Sequence, residues 1–349
     1  MITKILAIDL GKAASVMRFH CTDGRPDHTF TVPTTAQALH DQIAASGPDL
    51  VIIEACAIAW WVHDLIAAMD IKVIVTANNG PGWRWKNVRN KSDRSDAAKI
   101  IKMYLSQQLE EVHVPAHNVR QWRGLILHRQ DLVHDLNMFR NRIIGLLTMQ
   151  NIVLTGSRWT RAWMEQLRAL ATDAYQSDDE QLWRLRLVQD LESVEVAQRH
   201  IDRIEEQLSA MAAKHEAVAL LQREPGVGPR LAETVVAVID DPLRFKSGRQ
   251  VACYAGLTPR HWSSGQTERS GGISKQGNKI LRTLLVEVSW LGLRHNPWLA
   301  EIHRRIKRDT AGRGKIAIVA AARRLLIKLW AIWRDFERER RGTHALAAA

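Results

Sequence analysis

Leu187, Leu191, Val194, Ala197, Ile201, Ile204, Leu208 and Met211 step along the chain by fours and threes. That spacing keeps one stripe of a helix apolar over about three and a half heptads and leaves charge on the other faces. A strand cannot use it, because strand side chains alternate with a period of two. A stripe of this length must also be covered. Leu125, Leu132, Leu136, Phe139, Ile143 and Leu146 form a second apolar series that can cover it. Two long helices are predicted, meeting as an antiparallel pair, as a dimer, or as both. Residues 116–215 are therefore read as a helical coiled-coil region with a dimerising role, with Trp159 and Trp163 in its connecting segment.

Residues 1–115 follow another rhythm. KILAIDL, SVMRFHC and HTFTVP read as strands, and TTAQALHDQIAAS as a helix with a Thr cap. DLVIIEA and IKVIVTA are apolar runs of strand length on either side of the amphipathic IAWWVHDLIAAM. Three early strands, then helix, strand, helix and strand, predict an α/β domain with a mixed sheet. NNGPGWRWKNVRN contains a Gly-Pro-Gly turn and leads into KSDRSDAAKI.

Four acids in this region have positions that call for a reason. Asp9 ends the apolar strand LAID, and Glu54 ends VIIEA. Burying either without a partner is costly. Asp93 and Asp96, three apart at a helix start, share one helical face. Like charges so close are unfavourable unless a cation lies between them, and hard oxygen ligands suit magnesium. Lys91, Arg94 and Lys99 interleave with the aspartates and are suited to holding a phosphate backbone. A strand-end Asp, a strand-end Glu and a helix with two Asp can converge on one sheet edge. Two-metal phosphoryl-transfer sites use that arrangement.

The charge is uneven. Residues 216–349 carry 24 Lys and Arg against 12 Asp and Glu, whereas residues 1–115 carry 12 of each and residues 116–215 carry 13 of each. The whole net charge of +12 thus lies in the last part of the chain. A basic module beside two neutral ones points to a polyanion partner. Within it, LLQREPGVGPRLAETVVAVI has the pattern of a helix-hairpin-helix. Gly226 and Gly228 would let backbone N–H groups approach a phosphate at the N-terminus of the next helix, beside Arg230. A Gly, Ser and Arg-rich loop follows, then helices to about Arg341 that place cations on their faces in HRRIKRD and ARRLLIKLW. Residues 342–349 are expected to be a tail.

Several classes are set aside. No apolar run of 18 residues is free of charge, so no membrane span is expected. The apolar stretch in MITKILAIDLGK is too short for a secretory leader. Cys21, Cys56 and Cys253 are odd in number and far apart, which fits a reducing cytoplasm rather than a disulfide framework. AIDLGKAAS also resembles the first phosphate loop of actin-like ATPases and sugar kinases. Their second glycine-rich loop has no counterpart here, since GVG and SGG fall in the basic helical third.

AIDLGK, IIEA, NKSDRSDAAKI, EPGVGPRLAETVVAVI and FKSGRQVACYAGLTPRHWSSGQTERSGGISKQGNKILRTLL, in that order, resemble the DEDD transposases of the insertion-sequence-110 family. These are related to Piv-type DNA invertases, and some are bridge-RNA-guided serine recombinases. The resemblance runs over nearly the whole chain. It implies a RuvC-like N-terminal domain of the ribonuclease H fold at 1–115, a coiled coil at 116–215 and a mainly α transposase domain at 216–341. Asp9, Glu54, Asp93 and Asp96 match the metal-binding tetrad, with magnesium as the cofactor. The serine nucleophile falls on Ser264 in HWSSG, next to Ser263, with Ser270 and Ser274 further along. Arg260, Arg269, Lys275 and Arg282 surround it and are suited to clamping phosphates. The resemblance further implies donor and target DNA, a structured guide RNA, and a homodimer that assembles to a tetramer on DNA with the site completed between subunits. It implies a bacterial, nucleoid-associated location.

Two other classes compete on the residues alone. A RuvC-like nuclease of the junction-resolvase type would use the same tetrad with water as nucleophile. An architectural DNA binder would explain the basic third but not the four acids.

Overall fold

A computed structural model describes residues 3–78, 93–172, 174–176, 179–264, 267–308 and 310–347; at residues 93–94, 261–264, 267–270, 311 and 343–347 it describes the backbone only. Most of NNGPGWRWKNVRN, together with Lys91, lies outside the described residues. The chain divides into two compact units, Met1–Pro115 and Ala116–Ala349.

The first unit is a mixed α/β sheet with helices. Strands β1 (Lys4–Asp9), β2 (Ala14–Cys21), β3 (His28–Pro33), β4 (Leu50–Glu54) and β5 (Lys72–Thr76) lie in the order β3-β2-β1-β4-β5. β1 pairs antiparallel with β2, and β2 with β3, as short connections dictate. β1–β4 and β4–β5 are parallel, each connection crossing through a helix: α1 (Ala36–Ser46) and α2 (Ala59–Ala67). Thr35 caps α1 by accepting from the Ala38 N–H, and Gly47 ends it in the left-handed region.

Alternation along the central strands sorts their side chains onto two faces. Leu6, Ile8, Val51 and Ile53 face one core with Leu39 and Ile43 of α1 and Val62 and Ile66 of α2. Ile5, Ala7, Leu50 and Ile52 face the other, which α3 (Asp93–Leu105) closes with Ile100 and Ile101. Both faces of β1 and β4 are thus covered. This is why these strands read as continuous apolar runs rather than alternating ones.

In the second unit, α4 (His117–Met149) and α6 (Trp183–Ala212) form the predicted long pair, joined through α5 (Arg161–Ala171). Leu187, Leu191, Val194, Ala197 and Ile201 of α6 are buried in one cluster with Leu136, Ile143, Leu146 and Leu147 of α4. The heptad seam is therefore closed within one chain. The seam alone no longer calls for a second copy, and the homodimer rests on the resemblance.

The basic third is built around α8 (Pro229–Ile239), whose residues from Leu231 to Ile239 are all buried. It follows α7 (Glu216–Leu221) and is surrounded by α10 (Lys279–Gly292) and α12 (Gly314–Ala347), with α9 (Gly248–Tyr254) and α11 (Pro297–Lys307) completing the bundle. The end of α8 leaves carbonyls in the interior, and Arg123 of α4 caps two of them, donating to Ala237 O at 2.6 Å and Val238 O at 2.9 Å. α12 continues past the expected end near Arg341 to Ala347, as the helix propensity of HALA allows.

One element was not foreseen. The stretch read as a Gly, Ser and Arg-rich loop contains an antiparallel hairpin of β6 (Pro259–Ser264) and β7 (Thr267–Ile273). Its strands carry few apolar residues, so alternation gives no signal. What holds the base is backbone. Gly277 has φ +135°, and a Cβ there would lie 2.2 Å from Tyr254 O. Lys275 N–H donates to Gly256 O at 3.1 Å, and Ser274 N–H to Thr258 O at 2.8 Å. YAGLTPR and SKQGN are thus two loops packed main chain to main chain. Gly277→Ala is expected to destabilise the second unit by about 3 kcal/mol, from left-handed strain and overpacking together. Its melting temperature should fall by roughly 6–12 °C, measured by differential scanning calorimetry. An unchanged melt would show that the loops do not need this approach.

Among the described residues no helix is long and apolar enough to cross a membrane. The three cysteines are free thiols, Cys21 buried, Cys56 half-buried and Cys253 exposed.

Candidate functional site

The strand register sets the acids. In the parallel pair β1–β4, Ile8 stands opposite Ile53, so Asp9 and Glu54 are the next residues on adjacent strands, level at the same edge. Adjacent strands run about 4.8 Å apart. Continuing the alternation, both acids belong to the face of Ala7 and Ile52, which is the face covered by α3. Both are half-buried. Asp96, also half-buried, lies on α3 one residue before the fully buried Ala97 and four before Ile100. Asp93 starts the same helix. Its side chain, with that of Arg94, lies outside the described ones.

Among the described residues no group of three or more His, Cys, Asp or Glu is arranged to hold a metal ion. The donor set nevertheless fits a hard cation. Two carboxylates end neighbouring strands on one face, and a third stands on the helix packed over that face. All are oxygen donors, as magnesium prefers.

Ser264 is the last residue of β6 and pairs in register with Thr267, so it stands at the tip of the hairpin. Ser263 pairs with Glu268, Trp262 with Arg269, and His261 with Ser270. These positions are known as backbone only, and so is Arg269. Ser274 begins the loop after β7 and accepts from Arg260 Nη2 through its carbonyl at 3.1 Å. Its own hydroxyl is buried without a partner among the described residues.

The basic candidates differ in what they already hold. Lys275 is exposed, with φ +56°. Arg282 donates to Ala255 O at 3.0 Å and supports the loop under the hairpin. Arg230 lies 3.0 Å from Glu233 and donates to Ser209 Oγ at 3.1 Å. Gly226, with φ +83°, and Gly228, the cap of α8, form an exposed turn. Asn296 braces that turn by donating to Glu224 Oε1 and Pro225 O.

Glu233 is the residue that sequence reasoning missed. A carboxylate among LAETVVAVI reads as one polar position of an amphipathic helix, yet it is 1% exposed. Burial pushes its pKa up to about 7 against the opposing pull of Arg230. A raised folded-state pKa gives stability that is full below the unfolded value near 4.5 and is lost as pH rises through about 7. The Tm of the second unit is therefore expected to fall between pH 4.5 and 7 and to flatten above. Glu233→Gln should remove that slope and raise Tm at pH 8 by a few degrees, at about 3 °C per kcal/mol. A slope that persists in the variant would assign the effect to another group.

Comparison with known proteins gives a consistent set. A profile described as "Transposase", DEDD_Tnp_IS110, matches residues 6–151, and one described as "Transposase IS116/IS110/IS902 family" matches residues 218–304. The first span includes Asp9, Glu54, Asp93 and Asp96, and the second includes Gly226 and Ser264. The y4rJ protein of Sinorhizobium fredii, which carries a transposase name, is 31% identical over 307 residues, 81% of this chain and 76% of the relative. The transposase for insertion sequence element IS1111A of Coxiella burnetii is 34% identical over 209 residues, 59% of this chain and 56% of the relative. The pilin gene-inverting protein of Moraxella lacunata is 30% identical over 119 residues, 34% of this chain and 37% of the relative.

Proposed function

Because the chain belongs to the IS116/IS110/IS902 transposase family, we propose that it cuts and rejoins DNA through a covalent phosphoserine link at Ser264. In this reading Asp9, Glu54, Asp93 and Asp96 hold magnesium in a RuvC-like domain of the ribonuclease H fold. The observation that carries it is the level pairing of Asp9 and Glu54 on adjacent parallel strands, on the face that α3 packs against.

Magnesium, when bound, would neutralise phosphate charge and make an oxygen nucleophile available near neutral pH. The serine oxygen forms a bond to phosphorus as the bond to one deoxyribose oxygen breaks, and that oxygen leaves as a hydroxyl. One phosphoester replaces another, so rejoining needs no ATP. A serine hydroxyl is a poor nucleophile unless activated, which is why acids and serine belong to one reaction. Lys91, Arg94, Arg260, Arg269, Lys275 and Arg282, with the Gly226–Gly228 turn and Arg230, would hold phosphates by charge and by main-chain N–H. Choice of donor and target sites by a guide RNA, and assembly as a dimer or tetramer on DNA, complete the proposal.

The test is covalent capture. The full-length protein is incubated with magnesium and labelled DNA carrying the flanks of its own gene, then denatured and separated by electrophoresis. A labelled protein band that requires Ser264 supports the reading. Magnesium-dependent cutting with no such band makes the chain a water-using nuclease instead.

A further inference from the structure

Between the β6–β7 hairpin and the first turns of α12 lies a groove of about 810 Å³. Arg260 and Lys275 line it from the hairpin side, and Lys315 and Arg323 line it from the helix. No carboxylate is among the described residues lining it. Among the described residues, none of these four cations makes an ion pair; Arg260 alone is engaged, with the Ser274 carbonyl. The floor is apolar, made in part by Val319 and by Ile316, which is 63% exposed. Four cations with no ion-pair partner among the described residues, around an open apolar floor, fit a chain of phosphates with bases or sugars between them.

Resting on the serine reading above, we infer that this groove holds the DNA strand that runs to or from Ser264, and that Lys315, Ile316 and Arg323 are part of its binding site. Arg260 and Ser264 are on the same strand, four residues apart. That is about 13 Å of extended backbone, the span of about four base steps at 3.4 Å rise. A phosphate held by Arg260 lies, in this reading, about four base steps from the serine along the bound strand. Lys315 and Arg323, eight residues apart on α12, line one side and continue the track.

The test is binding without chemistry. Anisotropy of a fluorescein-labelled 20-nucleotide oligodeoxythymidylate is followed in EDTA over several salt concentrations, using the full-length protein. Lys315→Glu with Arg323→Glu is expected to weaken binding tenfold or more and to lower the salt slope by about 1.4, at roughly 0.7 per lost phosphate contact. The charge-neutral pair Lys315→Gln with Arg323→Gln should lose at least threefold with an unchanged circular dichroism melt. Arg304→Glu with Arg305→Glu on α11 makes the same change of net charge elsewhere and should cost less than threefold. Equal losses from the two charge-reversed pairs would reduce the effect to net charge and overturn the inference. So would a loss confined to an oligouridylate probe of the same length, which would give the groove to RNA. Because nothing is cut, the outcome is independent of whether Ser264 forms the covalent link.

Discussion

Asp9→Asn is expected to reduce magnesium-dependent DNA cleavage at least a thousandfold while leaving the fold intact. The size follows from the role proposed. Removing a ligand from a site that neutralises a scissile phosphate forfeits several kcal/mol of transition-state stabilisation, and about 4 kcal/mol is a factor of 10³. Stability gives a second readout of the same site. Asp9 and Glu54 stand level on adjacent strands about 4.8 Å apart, close enough to share one cation. Asn keeps the shape and removes the charge, so the metal-free variant should still fold cooperatively. Magnesium should raise the wild-type melt with concentration, because a ligand of the native state alone stabilises it by mass action. The variant should lose that dependence. Glu54→Gln is expected to behave alike. Two measurements therefore test one site, a cleavage rate and a melting curve with and without magnesium. If Asp9 only closes a strand, its removal lowers the melt, leaves the magnesium response in place and leaves cutting intact. That outcome would take Asp9 out of the metal site and leave the cutting to other residues.

The legibility of this fold follows the range of the interactions involved. β1 and β4 were readable because a parallel strand covered on both faces must be a continuous apolar run. Asp9 and Glu54 stood out because each ends such a run. α6 was readable because its stripe is local, repeating every three or four residues. Its partner was not fixed by that stripe, since Leu187 to Ile201 are satisfied equally by α4 or by a second chain until the connection through α5 is known. The hairpin was invisible for a related reason. β6 and β7 are held by pairing to each other and by the loops around Gly256 and Gly277, and neither leaves an apolar pattern. Arg230 and Arg282 show the same limit for side chains. Both are suited to phosphate in sequence, and each also donates to a protein group, Ser209 Oγ and Ala255 O, that lies 21 and 27 residues away. Charge is legible in a sequence. What it is paired with is not.

Ser264→Ala is expected to abolish covalent capture of DNA altogether and strand exchange with it. The loss should be total because no side chain of alanine can form the phosphoester, whatever the acids still do. Ser263→Ala is the informative control. Ser263 and Ser264 are consecutive residues of β6, and one phosphoserine link uses one hydroxyl. One scissile phosphate therefore meets one of them, and the variant at the other position should keep more than a tenth of the activity. Ser264 pairs with Thr267 at the end of the hairpin, which is where the proposal puts the attacking hydroxyl. The reverse pattern, capture lost with Ser263 and kept without Ser264, would move the nucleophile one residue back. Cutting that survives both substitutions, with magnesium still required, would leave the acids as a complete nuclease. A proteolysed, DNA-labelled peptide fragmented in a tandem mass spectrometer distinguishes the three cases directly, because cleavage between the two residues shows which serine carries the adduct.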